Sequence, residues 1–208
     1  MDETLNCGGN QAPADAIFAE MASGYAYDGN DPALLASLKV CEDLCYDYNA
    51  MRPSQEAERV AILRRLLGHA GKKVKIIPRF FCDYGFNISV GENFFANTGL
   101  TILDEAQVTF GDNVFVGPNC SFYTADHPLD VAQRNNLVQR ALPITVGSNV
   151  WICGNVTVVP GVTIGSSTVI GAGSVVVKDI PDGVVAAGNP CRVIRPITEA
   201  DVLSGPER

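Results

Sequence analysis

The chain has 208 residues, 47% of them apolar and 18% charged, with a net charge of −8 at neutral pH. That composition supports a sizeable core and excludes a disordered chain; the negative charge excludes nucleic acid as the main partner but not a small anion held by local basic groups. No stretch reaches the ~20 apolar residues of a membrane helix, and the acidic start MDETLNCGGN is unlike a signal peptide.

Residues 1–15 are expected to form a loose leader, followed by a helical cap over 16–70. The first short helix is predicted at 16–23, with Ile17, Phe18 and Met21 on one side and Gly24 ending it. After the turn-rich stretch 25–32, Asp31 reads as an N-cap with Pro32 at the first helical position. Leu34, Leu35, Leu38, Cys41, Leu44, Cys45 and Tyr48 then recur at helical spacing. A further helix is expected from Ser54, with Glu56 and Glu58 in its first turn, Arg64 and Arg65 further along, and Gly68 or Gly71 stopping it. His69 falls at that helix's predicted C-terminal end, where a surface or capping role is the plain reading.

From Pro78 the spacing changes to six. Tyr84, Val90, Ala96 and Ile102 hold one phase; Phe110, Val116 and Phe122 hold another, shifted by two residues. Asn87, Asn93, Gly99, Asn113 and Asn119 fall near the expected corners, where positive φ is common. The period stops over 124–143 and resumes as six in-phase hexads, opened by Val146, Ile152, Val158, Ile164, Ile170 and Val176. A period of six fits neither a helix nor an alternating strand; it is the mark of a parallel β-helix with three short strands per turn. The expected body is therefore a hexapeptide solenoid over 71–197 with a protruding loop at 124–143, and 198–208 form a tail.

Such a loop is where a solenoid commonly carries function, and this one holds His127 between Asp126 and Pro128. An imidazole restrained by a following proline is a natural general base. Trp151 should point outward, as a subunit contact or a ligand platform. Lys178, Arg192 and Arg195 follow an almost uncharged stretch, as a solvated rim or a grip on phosphate. The seven dispersed cysteines lack CxxC pairing and read as free thiols of a reducing cytoplasm rather than disulfides or zinc ligands. No metal site is expected.

Phe81–Asn87 (FCDYGFN), Gly91–Asn97 (GENFFAN), Thr124–Pro128 (TADHP), Asn149–Ile152 (NVWI), Pro160–Gly165 (PGVTIG) and Ala187–Pro190 (AGNP) together resemble the maltose and galactoside O-acetyltransferases. The resemblance implies a left-handed coil, a homotrimer with sites between subunits, and acetyl transfer from acetyl-CoA to a sugar hydroxyl in the cytoplasm, without a metal or a membrane. It makes His127 the base in a direct transfer and Gly154 a backbone donor to the oxyanion. Asp83, Asn97 and Glu105 would contact the acceptor, joined by Asp28, which is offset by one from the family's acidic position. Trp151, Gly154, Ala172, Lys178, Arg192 and Arg195 would hold the cofactor, with Val177 standing where a Thr is common. Two other readings compete: a related transferase with a xenobiotic acceptor, and a non-catalytic scaffold. The helical cap favours the sugar class over the first; His127 and the clustered cations oppose the second.

Overall fold

An aliphatic residue every six places, flanked by residues that tolerate tight corners, closes into a three-sided coil. The computed structural model describes residues 11–203; residues 1–10 and 204–208, and with them Cys7, lie outside the described residues. Strands stack in parallel into three sheets, one per side. The first side holds His69–Ala70, Ile88–Val90, Val108–Phe110, Ile144–Val146 and Thr163–Ile164. The second holds Val74–Ile76, Phe94–Ala96, Phe115–Val116, Trp151–Ile152, Val169–Ile170 and Val184–Ala187, closed by the antiparallel Arg192–Pro196. The third holds Phe80–Cys82, Leu100–Leu103, Ser121–Tyr123, Thr157–Val158 and Val175–Val176.

All six hexad-opening residues are buried, and the coil strands from Val74–Ile76 to Val184–Ala187 alternate buried and outward side chains, whereas Arg192–Pro196 is exposed throughout. Register places Ala96, Val116, Ile152, Ile170 and Ala186 in one inner column. Burying such aliphatic side chains contributes ~1.5–3 kcal/mol each. The wider lower coils are filled by rings: Phe94 and Phe110 lie 5.1 Å apart, and Phe110 and Phe122 5.0 Å. At the corner between the first and second sides, Asn93, Asn113 and Asn149 all take positive φ. Their amides form a ladder, Asn93 donating to Asn113 (3.0 Å) and Asn113 to Asn149 (3.1 Å).

Tyr84 does not hold the inner phase expected of it. Cys82 stacks beneath Ile102 instead, and Tyr84 joins a separate cluster with Phe18 and Phe86. The step from Cys82 to Val90 is therefore widened by two residues, like the step from Ile102 to Phe110. Both wide corners, and the loop after Phe122, lie where the third side turns into the first.

The cap packs over the lower coils. Helix α1 (Ala16–Met21) buries Phe18 and Met21. In α2 (Pro32–Ala50) the Asp31 carboxylate accepts from Ala33 N at 2.8 Å, and Leu34, Cys41, Cys45 and Tyr48 are buried. Helix α3 (Glu56–Leu66) starts after Gln55, slightly later than expected. His69 is not a helix end: it opens the first strand of the solenoid, paired with Ser89.

The loop at 124–143 is more ordered than its aperiodic sequence suggests. It contains strand Ala125–Asp126, helix α4 (Val131–Asn135) and strand Val138–Ala141. Strand Tyr27–Asp28 pairs with the last of these, giving a three-stranded antiparallel flap. The N-terminal segment thus braces the loop, a long-range pairing that local pattern does not encode.

Candidate active site

The two wide corners stack, and their extra residues are mostly acidic. Asp83 and Glu105 share a side-chain hydrogen bond, which requires one of the carboxyls to carry a proton. Burial, then the neighbouring Glu105, pushes Asp83 up to about 9. Asp104 lies fully buried below them, and burial pushes it up to about 8. Its Oδ1 accepts from Asp83 N (3.1 Å) and Tyr84 N (2.9 Å), whereas Oδ2 has no hydrogen-bond partner.

Tyr27 and Tyr84 line this pocket of carboxyls. Burial, and after it Glu105, raises both phenols well above their usual range. Tyr27 donates to Gln139 Oε1 at 2.9 Å, tying the N-terminal strand to the flap. Thr124, at the start of the loop, places its hydroxyl 3.2 Å from Glu105 Oε2. Asp28, expected to reach an acceptor, is exposed and accepts from Asn30 N at 2.9 Å. Adjacent strand residues point to opposite faces, so it is Tyr27 that turns toward Glu105 and Asp83.

His127 follows the strand Ala125–Asp126 and is exposed. It shares a cleft with Ala26, Leu129 and Gln139. Its neighbour Asp126 is engaged by Arg140 at 2.5 Å, and among the described residues nothing hydrogen-bonds the imidazole. A hydroxyl entering this cleft would meet an unoccupied nitrogen.

A second cleft lies on the second side and at its far corner. Asn97, Phe95, Phe115, Gly117, Pro118, Trp151, Cys153 and Gly154 line it. Trp151 is 55% exposed. Strand register aligns it with Phe95, Phe115, Val169 and Val185 in one outward column. The amide N–H of Gly154 has no acceptor among the described residues, while its carbonyl accepts from Gly173 N at 3.0 Å. Coil packing is tight here: a Cβ on Gly117 would come within 2.6 Å of Gly154 N. Ala172, one coil above, is exposed and turns its N–H toward the Cys153 thiol, partly offsetting the upward push of burial.

The cations sit at the end of the solenoid. Lys178, Arg192 and Arg195 are exposed. Arg192 pairs with Ala187 and Arg195 with Val185, across a bulge that leaves Ile194 unpaired. The bulge restores parity, so both arginines face outward on the side that carries Trp151. Arg195 is held by Asp201 through contacts of 2.8 and 2.6 Å, and this pairing depresses Asp201 to about 2.

Of the expected residues, the fold unites Asp83 with Glu105, and Asn97 with Trp151 and Gly154. It separates His127 from Asn97, which lie in clefts on different edges of one chain. Tyr27, Tyr84, Asp104, Thr124 and Gln139 complete the acidic pocket and were not anticipated. The repeated two-residue widening after Cys82 and Ile102 was the signal that could have found it.

The sequence pattern of the maltose acetyltransferase hexapeptide capping motif matches residues 20–71, and that of the bacterial transferase hexapeptide (six repeats) matches 143–178. Galactoside O-acetyltransferase of Escherichia coli is 46% identical over 76% of this chain and 78% of its own. The crystal structure of a maltose O-acetyltransferase from Clostridium difficile 630 superposes with a TM-score of 0.87, at 45% identity over 90% of this chain and 100% of that one. A galactoside acetyltransferase in complex with coenzyme A gives 0.86, at 39% identity over 92% and 94%.

Proposed function

The chain belongs to the family of maltose and galactoside O-acetyltransferases, and we propose that it transfers acetyl from acetyl-CoA directly to a sugar hydroxyl with His127 as general base. The observation that carries this reading is the exposed imidazole of His127, unengaged by any described residue and set in the braced flap. The bound coenzyme A of the galactoside acetyltransferase supports the choice of donor.

In this mechanism an imidazole nitrogen takes the proton of the acceptor hydroxyl as its oxygen attacks the thioester carbonyl. The developing oxyanion is met by the free N–H of Gly154, a contact of the kind that contributes ~2.7–4 kcal/mol to the transition state. Collapse breaks the carbon–sulfur bond, and the leaving thiolate recovers the proton from the imidazolium. An acetyl ester and free CoA result, with no acyl-enzyme.

Because His127 and Gly154 lie on different edges of one chain, the complete site is built between two copies. A trimer sets the outward column of Phe115 and Trp151 against the flap of a neighbour. CoA then runs along the second side, Ala172 and Gly154 meeting its amide arm, and Lys178, Arg192 and Arg195 its phosphates. The acceptor lies between Asn97 of one copy and the Asp83–Glu105 pair of the other. That pair, sharing one proton, offers sugar hydroxyls both a donor and an acceptor. No helix among the described residues is long and apolar enough to cross a membrane, and the free thiols suit the cytoplasm, where acetyl-CoA is made and used.

Release of CoA thiol, measured over a panel of maltose, glucose and galactosides, tests the assignment. His127→Ala should lower kcat by ~10²–10⁴-fold; a wild-type rate in that variant would remove His127 from the mechanism.

A further inference from the structure

Helix α2 lies on the first coil of the solenoid, and its inner face carries Cys41 and Cys45, one turn apart. Opposite them, at the end of the strand Phe80–Cys82, is Cys82. The three Sγ atoms lie within 4.8 Å of one another, with Cys41–Cys82 at 3.6 Å and Cys45–Cys82 at 3.8 Å. All three residues are buried, with none more than 3% exposed. Tetrahedral zinc with Zn–S bonds of ~2.3 Å sets its sulfurs ~3.8 Å apart. The two distances to Cys82 match that requirement, and the third pair of sulfurs lies within 4.8 Å.

A buried carboxyl neighbours this cluster. Asp104 is fully buried, acts electrostatically on both Cys41 and Cys82, and has an Oδ2 without a hydrogen-bond partner. A buried oxygen left unpaired is costly; the Asp104 carboxyl lies outside the close-set group of three sulfurs and acts on it as a neighbouring charge, not as a ligand.

We propose that Cys41, Cys45 and Cys82 form a structural site for a thiophilic divalent cation of the zinc class, stapling the helical cap to the solenoid. Binding brings one M²⁺ onto three thiolates, and every proton still held by the thiols goes to solvent. Three thiolates and a divalent ion leave a net charge of −1, whereas a monovalent ion such as Cu(I) would leave −2. In a buried site the smaller residual charge is favoured. The site stands apart from His127 and from the Trp151 cleft, so its role is to fix the cap and, through Cys82, the start of the wide corner beneath the acidic pocket.

The test uses full-length protein purified under reducing conditions, stripped with chelator and titrated with Cd(II) as the spectroscopic probe. The expected result is one Cd(II) per chain, an ultraviolet thiolate-to-metal charge-transfer band, displacement by Zn(II), and a higher Tm. Cys45→Ala should weaken Cd(II) at least tenfold, the effect of losing one of three ligands, whereas Cys120→Ala should leave it unchanged. Both variants need only keep the wild-type circular-dichroism spectrum. Two results overturn the proposal: no charge-transfer band in reduced wild-type protein, or a band of undiminished affinity in folded Cys45→Ala. Since the wild-type titration decides by itself, a variant that fails to fold does not rescue the idea.

Discussion

The carboxyl of Asp83 hydrogen-bonds that of Glu105 across two successive coils. The contact exists because both coils widen at the same edge, after Cys82 and after Ile102. Two acidic groups held this closely cannot both ionise at little cost, so the pair works as a single donor–acceptor unit.

If that unit grips the acceptor, removing its charge should act on the acceptor and spare the cofactor. Asp83→Asn and Glu105→Gln are each expected to raise KM for the sugar by ~5–150-fold, the effect of unpairing a buried polar group at ~1–3 kcal/mol. KM for acetyl-CoA should stay within about twofold, because the cofactor cleft lies on another edge. Equal rises in both constants would show that the pair is structural.

Stability should decline with rising pH through the neutral range. Asp104 is raised by burial to about 8, against ~3.9 in an unfolded chain. Its protonated form therefore favours folding fully below pH ~4, and that contribution is lost as pH climbs to about 8. Asp83, Glu105, Tyr84 and the thiols of Cys41 and Cys82 face the same group. Asp104→Asn, measured by urea unfolding with chelator and reductant, should flatten the decline by up to ~1.4 kcal/mol per pH unit. The slope from Asp83 should remain, so an unchanged curve would refute the assignment.

Asp201 competes for the arginine expected to meet phosphate. Both partners of this ion pair are exposed to solvent, so the effect is modest and screened by salt. Asp201→Asn should tighten CoA by about two- to fivefold at low ionic strength, and Arg195→Ala should weaken it by a similar factor. Calorimetric titration with CoA at two salt concentrations measures both; tighter binding in Arg195→Ala would place the phosphates elsewhere.

The inner columns predict a steep cost for truncation. Ile152 is fully buried and stacked between Val116 and Ile170. Ile152→Ala should destabilise the fold by ~2–5 kcal/mol, seen as a lower denaturation midpoint with an unchanged slope. An outward position such as Thr157, changed to Ala, should cost under ~1 kcal/mol.

The hexad columns from Val146 to Val176, the helix over 32–50 and the break at 124–143 were all readable in the sequence. Each depends on a side-chain period that repeats locally, rung after rung. The same local logic misplaced Tyr84, because a two-residue widening of a corner shifts phase without leaving a mark of its own. Only the tertiary structure set Tyr27 rather than Asp28 against Glu105, aligned Arg192 with Arg195 across a bulge, and gathered Cys41, Cys45 and Cys82. The reason is distance along the chain. These contacts join segments from different coils, or the cap to the coil beneath it, and which residues meet is decided by how the coils stack and not by the spacing within any one of them.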